Sequence, residues 1–380
     1  MAQNDIYGDF YSPEKVFSYD KLLSILLGYR SIGKSTGTGI GILKRLIPFE
    51  PIVLTSEERE KHQCEYGLPQ RLLYIRRRDK ELQAAAPQAF SNARIIYNRY
   101  YDKDYNITYK KNAYYITGGR FGNEKVLLGY ANFLDNEDGL KSIPYDTLKY
   151  GVYDEFLPRR GTKYLGSKDN PYIEWDCINS LCQTVDREVD KAYANRFRMF
   201  LIGNNLTYYN PIIMKLGADK YLETKTKYLA PKDDIYVIEQ TQPGTIEATA
   251  HADESNVGKL ARHDDKSYMY AFGTGNDDDK FIGKPSGKVS PMCNVIYKGN
   301  RLGIGIDRNG IMFVSSHGNN SHVDLALTSS DHGYSTMLAL KTNATPEMKF
   351  LRIAFEQGNV LFENGRCKYL LYQFFMFDNV

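Results

Sequence analysis

The first strong hydrophobic pattern of the chain is a short apolar run followed by a glycine-rich stretch. KLLSILL, residues 21–27, has the length and composition of a buried β-strand. STGTGIGILKRLI follows at residues 35–47 and predicts a helix with Ile40, Leu43 and Leu46 facing inward, although three glycines weaken the helical preference. The pattern therefore predicts a strand, a glycine-rich turn and a helix in succession.

Later apolar runs predict further strands and one long helix. One β-capable run ends at Asp154, and MFLIG, residues 199–203, predicts another strand. Between them, the apolar residues of 170–196 fall near helical spacing, which is typical of an amphipathic helix. Two alternating runs around a KKN turn, within residues 97–120, predict a β-hairpin. These elements predict an α/β domain over residues 1–215.

The pattern changes after residue 211 and predicts a second, smaller α+β domain. Residues 216–245 are expected to form a connector, and the polar stretch 249–290 is expected to form loops. NVIYKGNRLGIGIDRNGIMFVSSH, residues 294–317, predicts three short strands with tight turns. Residues 347–379 are expected to give a strand, a turn and a helix or strand. The predicted second domain spans residues 246–380.

Composition narrows the class of protein. The 380 residues are 42% hydrophobic and 25% charged, which suits a globular protein of two ordinary domains. A net charge of +3 is too small to indicate nucleic-acid binding, so any basic surface must come from local clusters. The 31 tyrosines favour a strand-rich protein, and the five scattered cysteines are interpreted as reduced thiols of a cytosolic protein. No apolar run reaches membrane-spanning length.

The segment from Gly28 to Ser35 fits the phosphate-binding pattern G-x-x-x-x-G-K-[ST]. In such a loop, backbone N–H groups and a helix N-terminus hold phosphates, the lysine reaches the β- and γ-phosphates, and the serine binds Mg²⁺. The alternative is a glycine-rich turn beside a lysine. The residues expected to bind ATP are Gly28, Arg30, Gly33, Lys34, Ser35 and Thr36.

Two acids and an amide follow strands that could end beside this loop. Asp154 is suited to hold Mg²⁺ through its carboxylate. Glu155 is suited to orient and deprotonate the attacking water. Asn204 could sense the γ-phosphate. The alternatives are a solvated strand end for the acids and an asparagine-rich turn for the amide.

Basic residues mark the end of the predicted helix 170–196 and its exit. They are Arg187, Lys191, Arg196 and Arg198. The cluster could be a solvated face, or one arginine could reach the nucleotide of a neighbouring subunit.

Together, Arg30 in the loop, YDEF, TVDR and LIGNNLTYYNP resemble the DNA-packaging ATPases of tailed bacteriophages, of the small-podovirus, phi twenty-nine type. The resemblance implies an additional-strand, RecA-like ATPase domain. It implies a ring, usually a pentamer, at the portal vertex of a procapsid in the host cytoplasm, pushing double-stranded DNA inside. A packaging RNA is left open as a further partner.

Residue by residue, the resemblance implies roles for the motifs already quoted. Lys34 and Ser35 match the phosphate-loop residues, Asp154 and Glu155 match the magnesium-site acid and the catalytic glutamate, and Asn204 matches the coupling asparagine. Among the basic residues, Arg187 is the best match to the arginine finger that acts in a neighbouring subunit, with Arg196 and Arg198 as rivals.

The resemblance also implies a C-terminal domain that resembles an RNase H-like nuclease without its activity. A two-metal nuclease needs several converging carboxylates. Asp307, Asp324 and Asp331 are available, so an active nuclease stays open as the less favoured alternative.

A motor that handles any DNA sequence should contact phosphates. Three basic clusters are candidates, and a solvated basic face is the alternative for each. They are Arg76 and Arg77 in IRRRDK, Arg159, Arg160 and Lys163 in LPRRGTKY, and Lys110 and Lys111 in the predicted hairpin.

Two other classes of function compete with a packaging motor. Within enzymes, the rival is another additional-strand translocase or a terminase with an active nuclease. Outside enzymes, it is a nucleotide-binding scaffold in phage assembly. Glu155 favours an enzyme, because a scaffold needs no acid to activate water.

Overall fold

The computed structural model divides the chain into two compact units, which are described separately. The first comprises residues 1–165, 174–205 and 221–275, and the second comprises 166–173, 206–220 and 276–380. The structure describes residues 5–8, 10–28, 32–136, 143–157, 165, 173–188, 197–204, 210–218, 227–232, 234–240, 281–319, 323–327, 329–338, 345–357 and 359–378.

The first unit is built on a mixed sheet of ten strands. They are β1 (Leu23–Gly28), β2 (Ile52–Val53), β3 (Tyr66–Arg76), β4 (Asn106–Lys110), β5 (Ala113–Thr117), β6 (Val126–Phe133), β7 (Leu148–Asp154), β8 (Arg198–Asn204), β9 (Tyr228–Leu229) and β10 (Tyr236–Gln240). The described helices of this unit are α1 (Glu14–Ser18), α2 (Lys34–Leu46), α3 (Ser56–His62), α4 (Asp79–Ala85), α5 (Ser91–Tyr101) and α6 (Ile173–Glu188).

The strand order of this sheet is β4-β5-β6-β3-β7-β8-β1-β10-β9, with β2 paired to the start of β3. Neighbours from β6 to β10 run parallel, while β4, β5 and β9 add antiparallel edges. All six residues of β1 are buried, as expected for a central parallel strand covered on both faces. The carboxyl ends of β7, β8 and β1 therefore lie side by side.

The predicted elements around the glycine-rich turn are confirmed. β1 precedes the turn and α2 follows it, with Ile40, Leu43 and Leu46 fully buried. The glycines of α2 let neighbouring segments approach the helix. A Cβ on Gly37 would lie 1.9 Å from the backbone oxygen of Tyr11. The residues that weaken the intrinsic helix are thus required by its packing.

The hairpin and the later strands are also found where the pattern predicts them. β4 and β5 pair antiparallel around Lys111 and Asn112, both with left-handed backbones that match a type I′ turn. The helix predicted over 170–196 is described as α6, and residues 189–196 lie outside the described part of the chain.

The predicted connector, residues 216–245, needs correction. It contains β9 and β10, and β10 pairs parallel with β1 along Leu23 to Leu27. The strand YVIEQ is short and ends in two polar residues, so hydrophobic pattern alone did not separate it from a linker. The predicted loops of 249–280 lie outside the described residues.

The second unit has a sheet of six strands and three described helices. They are α7 (Pro211–Lys215), β11 (Ser290–Tyr297), β12 (Asn300–Ile306), β13 (Met312–Ser315), β14 (Asp324–Ala326), β15 (Thr336–Leu338), α8 (Pro346–Glu356), β16 (Val360–Phe362) and α9 (Gly365–Asp378). The strand order is β15-β14-β11-β12-β13-β16. The three predicted strands are confirmed as the antiparallel set β11, β12 and β13.

The strand predicted near residue 347 is wrong, because α8 occupies that segment. Thr345 caps the helix by accepting a hydrogen bond from the Met348 N–H at 3.2 Å, and Pro346 occupies the first turn. Met348, Leu351 and Ala354 then recur at helical spacing and are buried. Among the described helices of both units, none is long and apolar enough to cross a bilayer.

We expect Gly37→Ala to destabilise the first unit by about 1–3 kcal/mol, the usual range for overpacking. The new methyl group would collide with a backbone oxygen, which outweighs the gain in helix propensity of about 1 kcal/mol. Thermal unfolding followed by circular dichroism measures the change. Gly333→Ala is the control, because a Cβ there meets no heavy atom within 4 Å. Equal melting of Gly37→Ala and wild type would contradict the packing.

Candidate nucleotide-binding site

The phosphate loop begins where β1 ends and leads directly into α2. Gly28 is the last residue of β1, and α2 starts at Lys34. Gly33 caps the helix with φ 80°, and a Cβ there would lie 2.5 Å from Cδ1 of Phe10. Glycine is therefore required at this position for both backbone conformation and space. The N-terminus of α2 points its free N–H groups into the cleft that follows the strand ends.

Lys34 is buried in this cleft, and its ammonium donates to the Gly28 carbonyl oxygen at 3.0 Å. Burial lowers the pKa of Lys34 to about 7, and the nearby Asp154 carboxylate opposes the shift. A cation held in a desolvated position favours an anionic ligand. The Lys34 ammonium can therefore bind an anionic group in the cleft.

The two acids meet the loop across the strand ends. Asp154 is the last residue of β7, and its Oδ1 accepts a hydrogen bond from the Ser35 hydroxyl at 2.9 Å. Glu155 follows with φ 56°, a left-handed conformation that costs free energy in a non-glycine residue. Asn204 ends β8 directly opposite Gly28 in the register. The loop, both acids and the amide therefore come together at one edge.

A cleft of about 230 Å³ lies between these groups. Its lining residues are Gly33, Lys34, Ser35, Thr36, Asp154, Glu155, Ile202, Gly203 and Asn204. One wall thus presents a helix N-terminus, a lysine and two hydroxyls, and the other presents two carboxylates and an amide. This combination suits a phosphate group together with a hard cation.

Arg76 occupies a different place from the one predicted. Its guanidinium donates to Asp154 Oδ2 at 3.0 Å and to Glu155 Oε2 at 2.7 Å, and only 8% of the side chain is exposed. The Tyr74 hydroxyl also donates to Asp154 Oδ2, at 3.2 Å. The arginine is therefore held among the acids of the cleft and is not presented to DNA, which corrects the predicted DNA contact.

Arg77 is likewise unavailable for the predicted DNA contact. Its side chain is 2% exposed and forms an ion pair with Glu174 of α6, whose side chain is fully buried. Arg76 ends β3 and Arg77 directly follows it, next to the parallel strand that carries the acids, and both side chains are buried. Arg78, the next residue, is exposed. Of the four basic residues in IRRRDK, Arg76 and Arg77 are thus interior, and Arg78 and Lys80 are at the surface.

Several predicted site residues lie outside the described part of the chain. They are Arg30, Arg159, Arg160, Lys163 and Arg196. Arg187 lies in the last turn of α6, and only its backbone is described. Arg198 begins β8, at the end remote from Asn204, where it pairs with Asp20. Lys110 and Lys111 are exposed on the hairpin.

The three aspartates of the second unit do not converge. Asp307 accepts hydrogen bonds from Ser286 and from backbone N–H groups of its own turn, and Asp331 accepts from the N–H groups of residues 298 and 299. Asp324 pairs with Arg301 at 2.9 Å. Among the described residues, no group of three or more His, Cys, Asp or Glu could hold a metal ion. Each aspartate therefore has a local structural partner.

Sequence reasoning missed four residues around the cleft: Tyr74, Arg76 as a partner of the acids, Arg77 as an anchor, and Glu174. One signal was available. LLYIRR is an apolar strand that runs straight into two arginines, and a strand end in a parallel sheet places such residues at the same edge as the loop. Glu174 gives no such signal, because its partner is far away in sequence.

The chain is similar to several known proteins. The family model for the podovirus DNA encapsidation protein (Gp16) matches residues 61–380. The DNA packaging proteins of Bacillus phages PZA and phi29 are each 25% identical to the chain, with 96% of this chain and 97% of each relative covered. A chain of the bacteriophage Phi-29 viral genome packaging motor assembly has a similar fold. Its TM-score is 0.61 at 21% identity, covering 97% of this chain and 98% of that one.

We expect Arg76→Met to destabilise the first unit, because two neighbouring carboxylates lose their cation. Breaking a fully buried pair costs about 3–5 kcal/mol, and the partial exposure of both acids should reduce this to about 2 kcal/mol. Denaturant unfolding measures the loss. Arg78→Met, on an exposed neighbour, is the control, and an equal effect of both changes would contradict the assignment.

Proposed function

Because the chain belongs to the podovirus DNA encapsidation protein (Gp16) family, we propose that it is an ATP-driven motor that moves viral double-stranded DNA into a procapsid. One observation carries the proposal. A buried lysine at a helix N-terminus, a serine bonded to a strand-end aspartate and a second acid meet in one cleft. This arrangement suits the RecA-like ATPase that the resemblance implies.

The cleft can hold a nucleoside triphosphate with Mg²⁺. The N–H groups at the start of α2 and the Lys34 ammonium would hold the β- and γ-phosphates. Ser35 and Asp154 would supply the hard oxygen ligands that Mg²⁺ prefers. The Ser35 hydroxyl already lies 2.9 Å from Oδ1 of Asp154, to which it donates a hydrogen bond. The metal would neutralise charge on the phosphates when bound.

Hydrolysis needs a base for the attacking water, and Glu155 is the acid in position. It follows the strand that carries Asp154, and its carboxylate is partly exposed to the cleft. Arg76 bonds to both acids and fixes where they point. Asn204, which lines the cleft at the end of β8, would report on the γ-phosphate. These roles favour an enzyme over a nucleotide-binding scaffold.

The DNA contacts are proposed on the remaining basic residues. Lys110 and Lys111 project from the exposed end of the β4–β5 hairpin, where a phosphate backbone can approach. Arg159, Arg160 and Lys163 stay candidates from sequence, as the segment that directly follows the acids. Contacts of this kind are independent of base sequence, which a packaging motor requires.

The oligomer and its partners are further parts of the proposal. We infer a homo-oligomeric ring, pentameric by the resemblance, at the portal of a procapsid in the host cytoplasm. Arg187 would act on the nucleotide of the neighbouring subunit, and Arg196 and Arg198 are its rivals. A packaging RNA stays open as a partner.

For the second unit we propose a degenerate RNase H-like domain that serves in docking. Its mixed sheet, with antiparallel strands β11 to β13 extended by parallel strands beyond β11, supports this fold. The separate structural partners of Asp307, Asp324 and Asp331 favour docking over DNA cleavage.

The function is tested by separating nucleotide binding from hydrolysis. We expect Lys34→Ala to lose ATP binding, because the phosphates lose their cation. Glu155→Gln should bind ATP with Mg²⁺ but hydrolyse it at least ~10²-fold more slowly, the usual contribution of a general base. Fluorescent-nucleotide titration and DNA-stimulated phosphate release measure the two steps. Normal turnover by Glu155→Gln would remove this residue from the mechanism, and wild-type protein without DNA-stimulated hydrolysis would overturn the motor.

ATP binding should also take up a proton at alkaline pH. The pKa of Lys34 is about 7 in the free protein, and bound phosphates favour the ammonium form and raise that pKa. At pH 8 most free protein has neutral Lys34, so binding draws up to one proton from the buffer. At pH 6 the lysine is already charged, and uptake by it should vanish. Calorimetric titrations in buffers of different ionisation enthalpy measure this, and equal heats at pH 8 would contradict it.

A further inference from the structure

The backbone of Glu155 is held in its left-handed conformation from outside. A non-glycine residue keeps such a conformation only where its surroundings fix it. Both polar backbone groups of the next residue, Phe156, are bonded. Its N–H donates to the Ile202 oxygen of β8 at 3.1 Å, and its carbonyl oxygen accepts from Nη2 of Arg77 at 2.6 Å. The same nitrogen lies 3.5 Å from the carbonyl oxygen of Glu155.

Arg77 is itself held in one orientation by Glu174. Nε of Arg77 lies 2.9 Å from Oε2 of Glu174, and Nη2 lies 3.1 Å from Oε1. The carboxylate also accepts from the Tyr153 hydroxyl at 2.5 Å and from the Leu165 N–H at 3.0 Å. The planar guanidinium therefore has its position fixed on one side and presents Nη2 to the carbonyls of residues 155 and 156.

Stability alone is a weak reason for this ion pair. Replacing a buried pair with apolar residues of similar volume is often neutral or stabilising. The pair is almost completely enclosed, yet Nη2 of Arg77, which bonds to Glu174, also donates to the backbone beside the acid of the cleft. Arg76 contacts the side chain of that acid, whereas Arg77 contacts only the backbone that carries it.

We propose that Arg77, oriented by Glu174, is a positioning residue that keeps the Glu155 backbone left-handed and so directs the Glu155 carboxylate at the attacking water. The inference rests on the proposed ATP hydrolysis. The buried pair of Arg77 and Glu174 thereby supports the position of the Glu155 carboxylate. Nucleotide binding, which depends on the loop and α2, does not require this support.

The test is the double variant Arg77→Met with Glu174→Gln, which removes both charges and the bond to Phe156. Its matched control is Arg71→Met with Glu58→Gln. Arg71 and Glu58 form another largely buried ion pair, at 2.6 Å. Arg71 lies on β3, the strand that Arg77 directly follows. Arg71 lies about 20 Å from Arg77 at ~3.3 Å per residue. The two double variants therefore differ mainly in their distance from Glu155.

We expect kcat for ATP hydrolysis to fall on the order of 10²-fold in the Arg77 double variant, the effect of a small misplacement of a catalytic group. KM and the affinity for a fluorescent ATP analogue should stay within about twofold of wild type, a difference of under 0.5 kcal/mol. Hydrogen exchange measured by mass spectrometry should show faster exchange at the Phe156 amide. The control should keep wild-type kcat and exchange at Phe156.

A folded Arg77 double variant with wild-type kcat, or with unchanged exchange at Phe156, would overturn the inference. An equal loss of kcat in the control would also overturn the inference, because the effect would then not depend on how close the ion pair lies to Glu155. If the double variant does not fold, Arg77→Lys serves. It keeps the charge beside Glu174 but lacks the fork that reaches Phe156, and wild-type kcat would again refute the role. Wild-type protein that hydrolyses no ATP would instead overturn the proposed function. The exchange measurement at Phe156 would still test whether Arg77 holds the backbone beside Glu155.

Discussion

The structure of the site depends on the meeting of parallel strand ends at one edge of the first sheet. β7, β8 and β1 lie side by side, so the residues that follow them are forced together although they are far apart in sequence. Asp154, Asn204 and Gly28 are brought to one cleft in this way. Charges of both signs are thereby concentrated in a poorly hydrated place, where each must find a partner.

The charge pairs at this edge follow from that constraint. Arg76 neutralises the two acids. Arg77 and Glu174 form a second pair, beside the backbone of residues 155 and 156, which follow β7. Arg76 is the last residue of β3, and Arg77 directly follows the strand. Arg76 reaches the acids of the cleft, and Arg77 reaches Glu174 at the start of α6. The cleft and its support therefore meet at the same strand end.

The N-terminal segment supports the loop from the other side. The Tyr11 N–H donates to the Ile32 oxygen at 3.0 Å, and the Phe10 ring packs where a Cβ of Gly33 would stand. Glu14 bonds to Arg45 at 2.6 Å, near the end of α2. Residues 32 and 33 of the loop thus pack against this segment. Gly33 therefore serves close packing, in addition to the phosphate binding proposed for the loop.

The sequence by itself determined the local elements and the type of chemistry. β1, α2, the β4–β5 hairpin and the strands ending at residues 154 and 204 follow from periodicity and turn residues, which are local properties. The phosphate-loop pattern and the acid pair could be recognised for the same reason. The second domain's three antiparallel strands were predictable from their tight turns.

Only the tertiary structure decided the partners of charged residues and the membership of short strands. IRRRDK has the composition of a basic surface, yet Arg76 and Arg77 are buried because β3 is central in the sheet. β10 belongs to the sheet because it pairs with β1, a contact between segments about 210 residues apart along the chain. The helix α8 was mistaken for a strand because burial of one of its faces depends on the sheet beneath it. Such pairings are long-range, and no local pattern contains them.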